Sequence, residues 1–175
     1  YRVHFDRPVD HRLELTLRVN DLPLPIIRAM EFEAGLYSPP IEWNDAMPMM
    51  NWLSSADQIE WILRDPDTGK ENMEINWAFR KGDIVKLRIF NNPNTLHPMN
   101  HPFHMHGQRY LVLSIDGVLN KNLVWKDTSV IPVGSTVDIL ADISNPGTWM
   151  MHCHIAEHLH AGMMLSFAVS DDTRE

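Results

Sequence analysis

The chain has 175 residues, of which 44% are hydrophobic and 22% charged, and this excludes both a disordered tail and a membrane-embedded protein. Its 15 basic against 23 acidic side chains leave a net charge of −8, which argues against nucleic-acid binding, where phosphate neutralisation requires Lys and Arg. No apolar run is long enough to cross a bilayer, and a single cysteine, Cys153, excludes an internal disulfide.

The punctuation along the chain is all-β: short runs of Val, Ile and Leu separated by Pro, Gly, Asn and Asp. Strands are predicted near Arg2–Asp6, Glu14–Asn20, Gln58–Arg64, Met73–Phe79, Ile84–Asn91, Tyr110–Ile115, Val124–Val130, Ser135–Asp142, Gly147–Ile155 and Leu165–Ser170. Tyr1 opens directly into YRVHF, which reads as mid-strand, so the chain is expected to be cut from something longer. The stretch from Arg64 to Lys70 has turn chemistry and is expected to close a hairpin. Residues 23–51, rich in Pro and Met, read as an irregular loop. A short helix is expected at Ala156–His160, stopped by Gly162. Many short strands at this spacing indicate a β-sandwich or barrel.

Ten histidines are many for this length, and they concentrate in two segments. HPFHMHG carries His101, His104 and His106; HCHIAEHLHAGMM carries His152, His154 and His158 around Cys153, followed by Met163. Imidazole with soft sulfur favours copper or zinc over hard cations. Side chains alternate across a strand. His104 and His106 therefore share a face, as do His152 and His154, while Cys153 points the other way. Two metal sites on opposite sides of one strand follow. His104, His106, His152 and His154 converge on one side, and Cys153 meets His101, His158 and Met163 on the other. Two imidazoles, a thiolate and a weak axial thioether form the ligand set of a blue-copper electron-transfer site. Zinc is the nearest competitor, but this set beside an all-histidine site is not a usual structural zinc pattern. The thiolate of Cys153 lies a few covalent bonds from His152 and His154, which wires a one-electron site to a second metal site.

HPFHMHG, VWKDTSVIPVGS and HCHIAEHLHAGMM together resemble the C-terminal cupredoxin domain of a three-domain, laccase-like bacterial multicopper oxidase. The resemblance covers roughly the whole chain and is strongest from Ile84 to Val169. It implies one cupredoxin-like Greek-key domain over residues 1–175. It also implies type 1 copper at His101, Cys153, His158 and Met163 (Met164 being the neighbouring alternative), type 2 copper at His104, and type 3 copper at His106, His152 and His154. Cys153, His152 and His154 would form the electron path. The implied activity couples one-electron oxidation of phenols, aromatic amines or metal ions to reduction of O2 to water.

The family's trinuclear cluster takes four HxH pairs, and this chain supplies two that match, His104/His106 and His152/His154. The remainder is expected from N-terminal cupredoxin domains, so the chain alone is expected not to reduce O2. A free-standing blue-copper electron-transfer or copper-binding protein without oxidase activity and an oligomer pooling half-clusters are the alternatives. A periplasmic or secreted location follows only from the resemblance. Met47, Met49 and Met50 read as packing residues, with a Cu(I) site as the alternative. Glu157 reads as an exposed carboxylate, with ligand orientation or proton relay as the alternative. His97 reads as a loop or supporting histidine, and Asp127 carries no assignable chemistry from sequence.

Overall fold

The structure is a computed structural model that describes residues 1–36 and 56–171. Met47, Met49 and Met50 lie outside the described residues.

The chain forms β1 (His11–Val19), α1 (Leu24–Leu36), β2 (Ile59–Arg64), β3 (Asn76–Arg80), β4 (Ile84–Asn91), β5 (His101–Met105) and β6 (Arg109–Ile115). It continues with β7 (Val118–Leu119), β8 (Trp125–Lys126), β9 (Thr128–Ile131), β10 (Thr136–Asp142), β11 (Gly147–Cys153), α2 (Ala156–His160) and β12 (Met164–Ser170). One sheet runs β2-β1-β4-β10-β6-β7, with β8 also on β6; the other runs β3-β12-β11-β5-β9. Both are mixed, because β1 pairs in parallel with β4 and β3 with β12.

Sequence neighbours repeatedly change sheets, so the apolar faces of both sheets are shut against each other. Leu13, Leu15, Leu87, Ile89, Val137 and Ile139 meet Phe103, Met105, Met151, Leu165 and Phe167 in one buried core. The inward face of β5 is His101, Phe103 and Met105, and that of β11 ends in Met151 and Cys153. The type 1 candidates thus begin as core positions. The all-β expectation holds, and the helix at Ala156–His160 lies at its predicted bounds.

Several expectations need correction. Residues 23–51 are not irregular throughout, because Leu24–Leu36 is helical. Pro25 falls in its first turn, where an amide proton has no helical partner anyway. Ile26, Ile27 and Met30 then recur at helical spacing, with Met30 fully buried. The segment Arg2–Asp6 is not a strand: Arg2–His4 is a 3-10 turn whose Val3 side chain stands in solvent.

The Arg64–Lys70 turn closes as expected, with Asp65 N donating to Lys70 O at 2.9 Å. The hairpin is minimal, a single antiparallel bridge of Arg64 with Glu71, because β2 then pairs with β1 and β3 with β12 in the other sheet. Val124–Val130 similarly divides. Trp125–Lys126 stays on β6, and Thr128–Ile131 crosses to β5, with the change of sheet at Asp127.

Candidate metal centre

β11 pairs antiparallel with β5, setting His152 opposite His104 and Cys153 opposite Phe103. Alternation then sends the thiol of Cys153 into the core with His101, and His152 and His154 to the outer face with His104 and His106. α2 follows immediately and returns His158 beneath the same core. Its exit is tied to β11, since Met163 N donates to His158 O at 2.9 Å and Cys153 N to Met163 O at 3.2 Å.

The inner group is tightly drawn. Cys153 Sγ lies 3.6 Å from His101 Nδ1 and 3.5 Å from His158 Nδ1, and the two nitrogens are 3.2 Å apart. A metal about 2.0 Å from nitrogen and 2.3 Å from sulfur, at angles between tetrahedral and trigonal, needs donor edges of about 3.3–3.8 Å. The residues present fit such an ion. Met163 is fully buried, with its backbone bonded to both Cys153 and His158.

Burial holds His101 as a neutral imidazole, its pKa lowered to about 3, with nearby His97 adding to the effect. His158 is lowered well below the usual range, again chiefly by burial. Burial pushes the Cys153 thiol up to about 12. The lone pairs of the nitrogens are thus free, and the thiol ionises only if a cation replaces the lost solvation.

Trp61, from β2 of the opposite sheet, stacks on His158 with ring centroids 3.7 Å apart and an interplanar angle of 20°. The same indole meets His101 edge-on at 5.3 Å. Its backbone N donates to Ala161 O at 3.0 Å, pinning the turn after α2. Sequence reasoning missed Trp61. No local signal marks it, because its role depends on β2 facing α2 across the sandwich. His97 is buried nearby, with Nδ1 lacking a hydrogen-bond partner, as does Nε2 of His158.

The outer group is more open. His104, His106 and His152 each offer a donor atom within 4.8 Å of the others. His106 Nε2 and His152 Nε2 are 2.8 Å apart. His154 is exposed, with its ring centroid 5.6 Å from that of His104 and 5.8 Å from that of His152. Burial lowers the pKa of His104, His106 and His152, so these too are neutral ligand-type imidazoles. His154 and Glu157 line an open hollow of 500 Å³ together with Pro102, Thr128, Ile155 and Ala156. Glu157 is half-buried rather than fully exposed.

The glycine of HPFHMHG also has a physical reason. Gly107 has φ +68°, and a Cβ there would lie 2.5 Å from Cε2 and Cε3 of Trp149. The indole therefore lies flat on the backbone just after His106.

A two-sheet mixed sandwich with an inner Cys-His-His group and an outer histidine group back to back defines a cupredoxin-like copper domain. The profile of the multicopper oxidase family matches residues 44–173. An oxidoreductase of Pestalotiopsis microspora is 35% identical over 166 residues, covering 77% of this chain and 27% of that protein. An L-ascorbate oxidase of Cucurbita pepo var. melopepo is 37% identical over 161 residues, covering 78% of this chain and 28% of that protein. Among solved structures, a multi-copper oxidase from Pediococcus acidilactici has TM-score 0.54 at 30% identity, covering 63% of this chain and 24% of that one. A multicopper oxidase from Campylobacter jejuni, at 17% identity, shares the fold with TM-score 0.57, covering 95% of this chain and 31% of that one. The chain belongs to the multicopper oxidase family, which implies copper as its metal. It spans about a quarter to a third of the length of these relatives.

Proposed function

We propose that this chain is the type 1 copper domain of a laccase-like oxidase and supplies half the histidines of its oxygen-reducing cluster. One observation carries the reading. Cys153 Sγ converges with His101 and His158 Nδ1 on the inner face, while its neighbours His152 and His154 join His104 and His106 on the outer face.

His101, Cys153, His158 and Met163 would hold type 1 copper; His104 would hold type 2 copper, and His106, His152 and His154 would hold type 3 copper. When bound, copper supplies reversible one-electron redox chemistry at the inner group and multi-electron chemistry toward O2 at the outer one. The chain's own residues do the rest. The core excludes water from Cys153. The stacked Trp61 and the bonded turn 158–163 hold the donors at fixed separation. Cys153 connects covalently to His152 and His154, giving the shortest through-bond route between the groups.

The parent oxidase takes one electron from each of four substrate molecules and reduces O2 to two waters. Its reductants are small: phenols, aromatic amines or metal ions. The missing histidines come from N-terminal cupredoxin domains, consistent with the fraction of the relatives that this chain spans. The open outer face suits such a partner. We place the protein in the periplasm or outside the cell on family grounds. No described helix is long and apolar enough to cross a membrane.

The test is to load the chain with Cu(II) and compare it with Cys153→Ser. The reading expects one tightly held copper with intense blue absorption in the parent chain. The variant should keep its far-UV circular dichroism and lose the colour. A variant that stays blue, or a parent chain that binds Cu(II) without colour, removes Cys153 as the ligand. O2 consumption by the chain alone favours an oligomer pooling half-clusters.

A further inference from the structure

We infer that Asp127 and Thr128 are positioning residues that hold His104 as its Nδ1–H tautomer, so that only Nε2 presents a lone pair to a metal. This rests on reading His104 as a ligand.

The β5–β9 register sets Thr128 opposite His104. His104 Nδ1 lies 2.8 Å from Thr128 Oγ1 and 3.0 Å from the backbone carbonyl of Asp127. The Thr128 hydroxyl donates its one proton to Asp127 Oδ1 at 2.9 Å. It therefore faces His104 with a lone pair. The carbonyl also has only lone pairs to offer, and it is held in place by accepting from Met105 N at 2.9 Å. With two acceptors against it, Nδ1 must carry the proton. The carboxylate itself is 3.9 Å from Nδ1, too far to bond, so it acts by orienting the hydroxyl.

His152 is held in the same sense by a backbone carbonyl, with Nδ1 2.8 Å from Cys153 O. At His104 the hydroxyl acceptor depends on two side chains, so that part can be removed by substitution while the Asp127 carbonyl stays in place. Partners on the ring nitrogen away from the metal set tautomer and orientation, and their loss typically lowers metal affinity about 10–100-fold.

The experiment reads the ring nitrogens of His104 by two-bond proton–nitrogen correlation NMR in the metal-free chain. The wild-type chain should show Nδ1 protonated and Nε2 free. Asp127→Ala releases the hydroxyl to turn and donate, and should raise the opposite tautomer at least about fivefold. Thr128→Ser should preserve the wild-type pattern.

In a Thr128→Val background, Asp127→Ala should change nothing further, because the carboxylate acts through the hydroxyl. An unchanged His104 pattern in Asp127→Ala overturns the inference. So does an equal shift in the Thr128→Val background, which would make the carboxylate a through-space charge. A separate arm titrates Cu(II) into Cys153→Ser with and without His104→Ala. Loss of outer-group binding supports the ligand reading. Unchanged binding overturns that reading alone, and the ring spectra still decide the tautomer.

Discussion

Gly107→Ala tests whether the HxHG strand and the HCH strand are held in register by one close contact. The added methyl would lie 2.5 Å from Cε2 and Cε3 of Trp149, at a backbone φ of +68°. The left-handed conformation costs an L-residue about 1–2 kcal/mol. Forcing a methyl into filled space costs about 1–3 kcal/mol more. The indole cannot swing clear without loss, because its Nε1 donates to Asn145 O at 2.9 Å.

The sum, about 2–5 kcal/mol, is a large part of a typical domain's stability of about 5–15 kcal/mol. Urea unfolding followed by far-UV circular dichroism should show the midpoint falling by about 1–2 M with the slope unchanged. The same methyl added in a Trp149→Leu background should cost only the backbone share, about 1–2 kcal/mol. A loss below about 1 kcal/mol, or an equal loss in both backgrounds, refutes the contact as the reason for this glycine.

Trp61→Leu removes the ring stacked on His158 and should weaken Cu(II) binding at the inner group about 10-fold in a competition titration, with Trp61→Phe restoring part of it. Undiminished affinity in the leucine variant rejects the clamp. In the metal-free chain, acid should destabilise the fold. His101 titrates at about 3 when folded against 6.5 for the unreacted side chain, so the unfolded state binds more protons between those values. The stability is whole above about pH 6.5 and drains as pH falls toward 3, by up to about 1.4 kcal/mol per unit for each such histidine. Urea midpoints at pH 5 and 7 measure it, and His101→Gln should flatten the difference; an unaltered slope counts against His101 as a contributor.

Alternation around Cys153 was legible because a strand has a period of two, and the thiol needs the opposite face from its neighbours whatever the partner strand. The pairing of His152 with His104 was not legible, since register comes from long-range ladder bonds. The split at Asp127 hid in a run that reads as one strand, because a change of sheet leaves no mark in hydropathy. The chemistry of Asp127 stayed hidden with it, since His104 is 23 positions away in sequence. The helix at Leu24–Leu36 was obscured by Pro23 and Pro25, although Ile26, Ile27 and Met30 carry its apolar period. Trp61 gave no sign at all, because what it touches is decided by the stacking of two sheets.

The two donor groups differ most in what closes them, and this yields a chemical test. His101 is 3% exposed and His158 0%, sealed between this chain's own sheets. His154 is exposed, and His104 and His106 are half-buried on the outer face. Diethyl pyrocarbonate acylates accessible neutral imidazole nitrogens. Mapped by mass spectrometry in the metal-free chain at neutral pH, modification should be fast at His154 and His106 and absent at His101 and His158 until urea unfolds the core. Modification of His158 at the rate of His154 would mean the inner group is not enclosed by this chain. If the pattern holds, the inner donors form a site that one chain completes. On the proposed reading, the outer donors are the open half of one, and further histidines would close it from the exposed side.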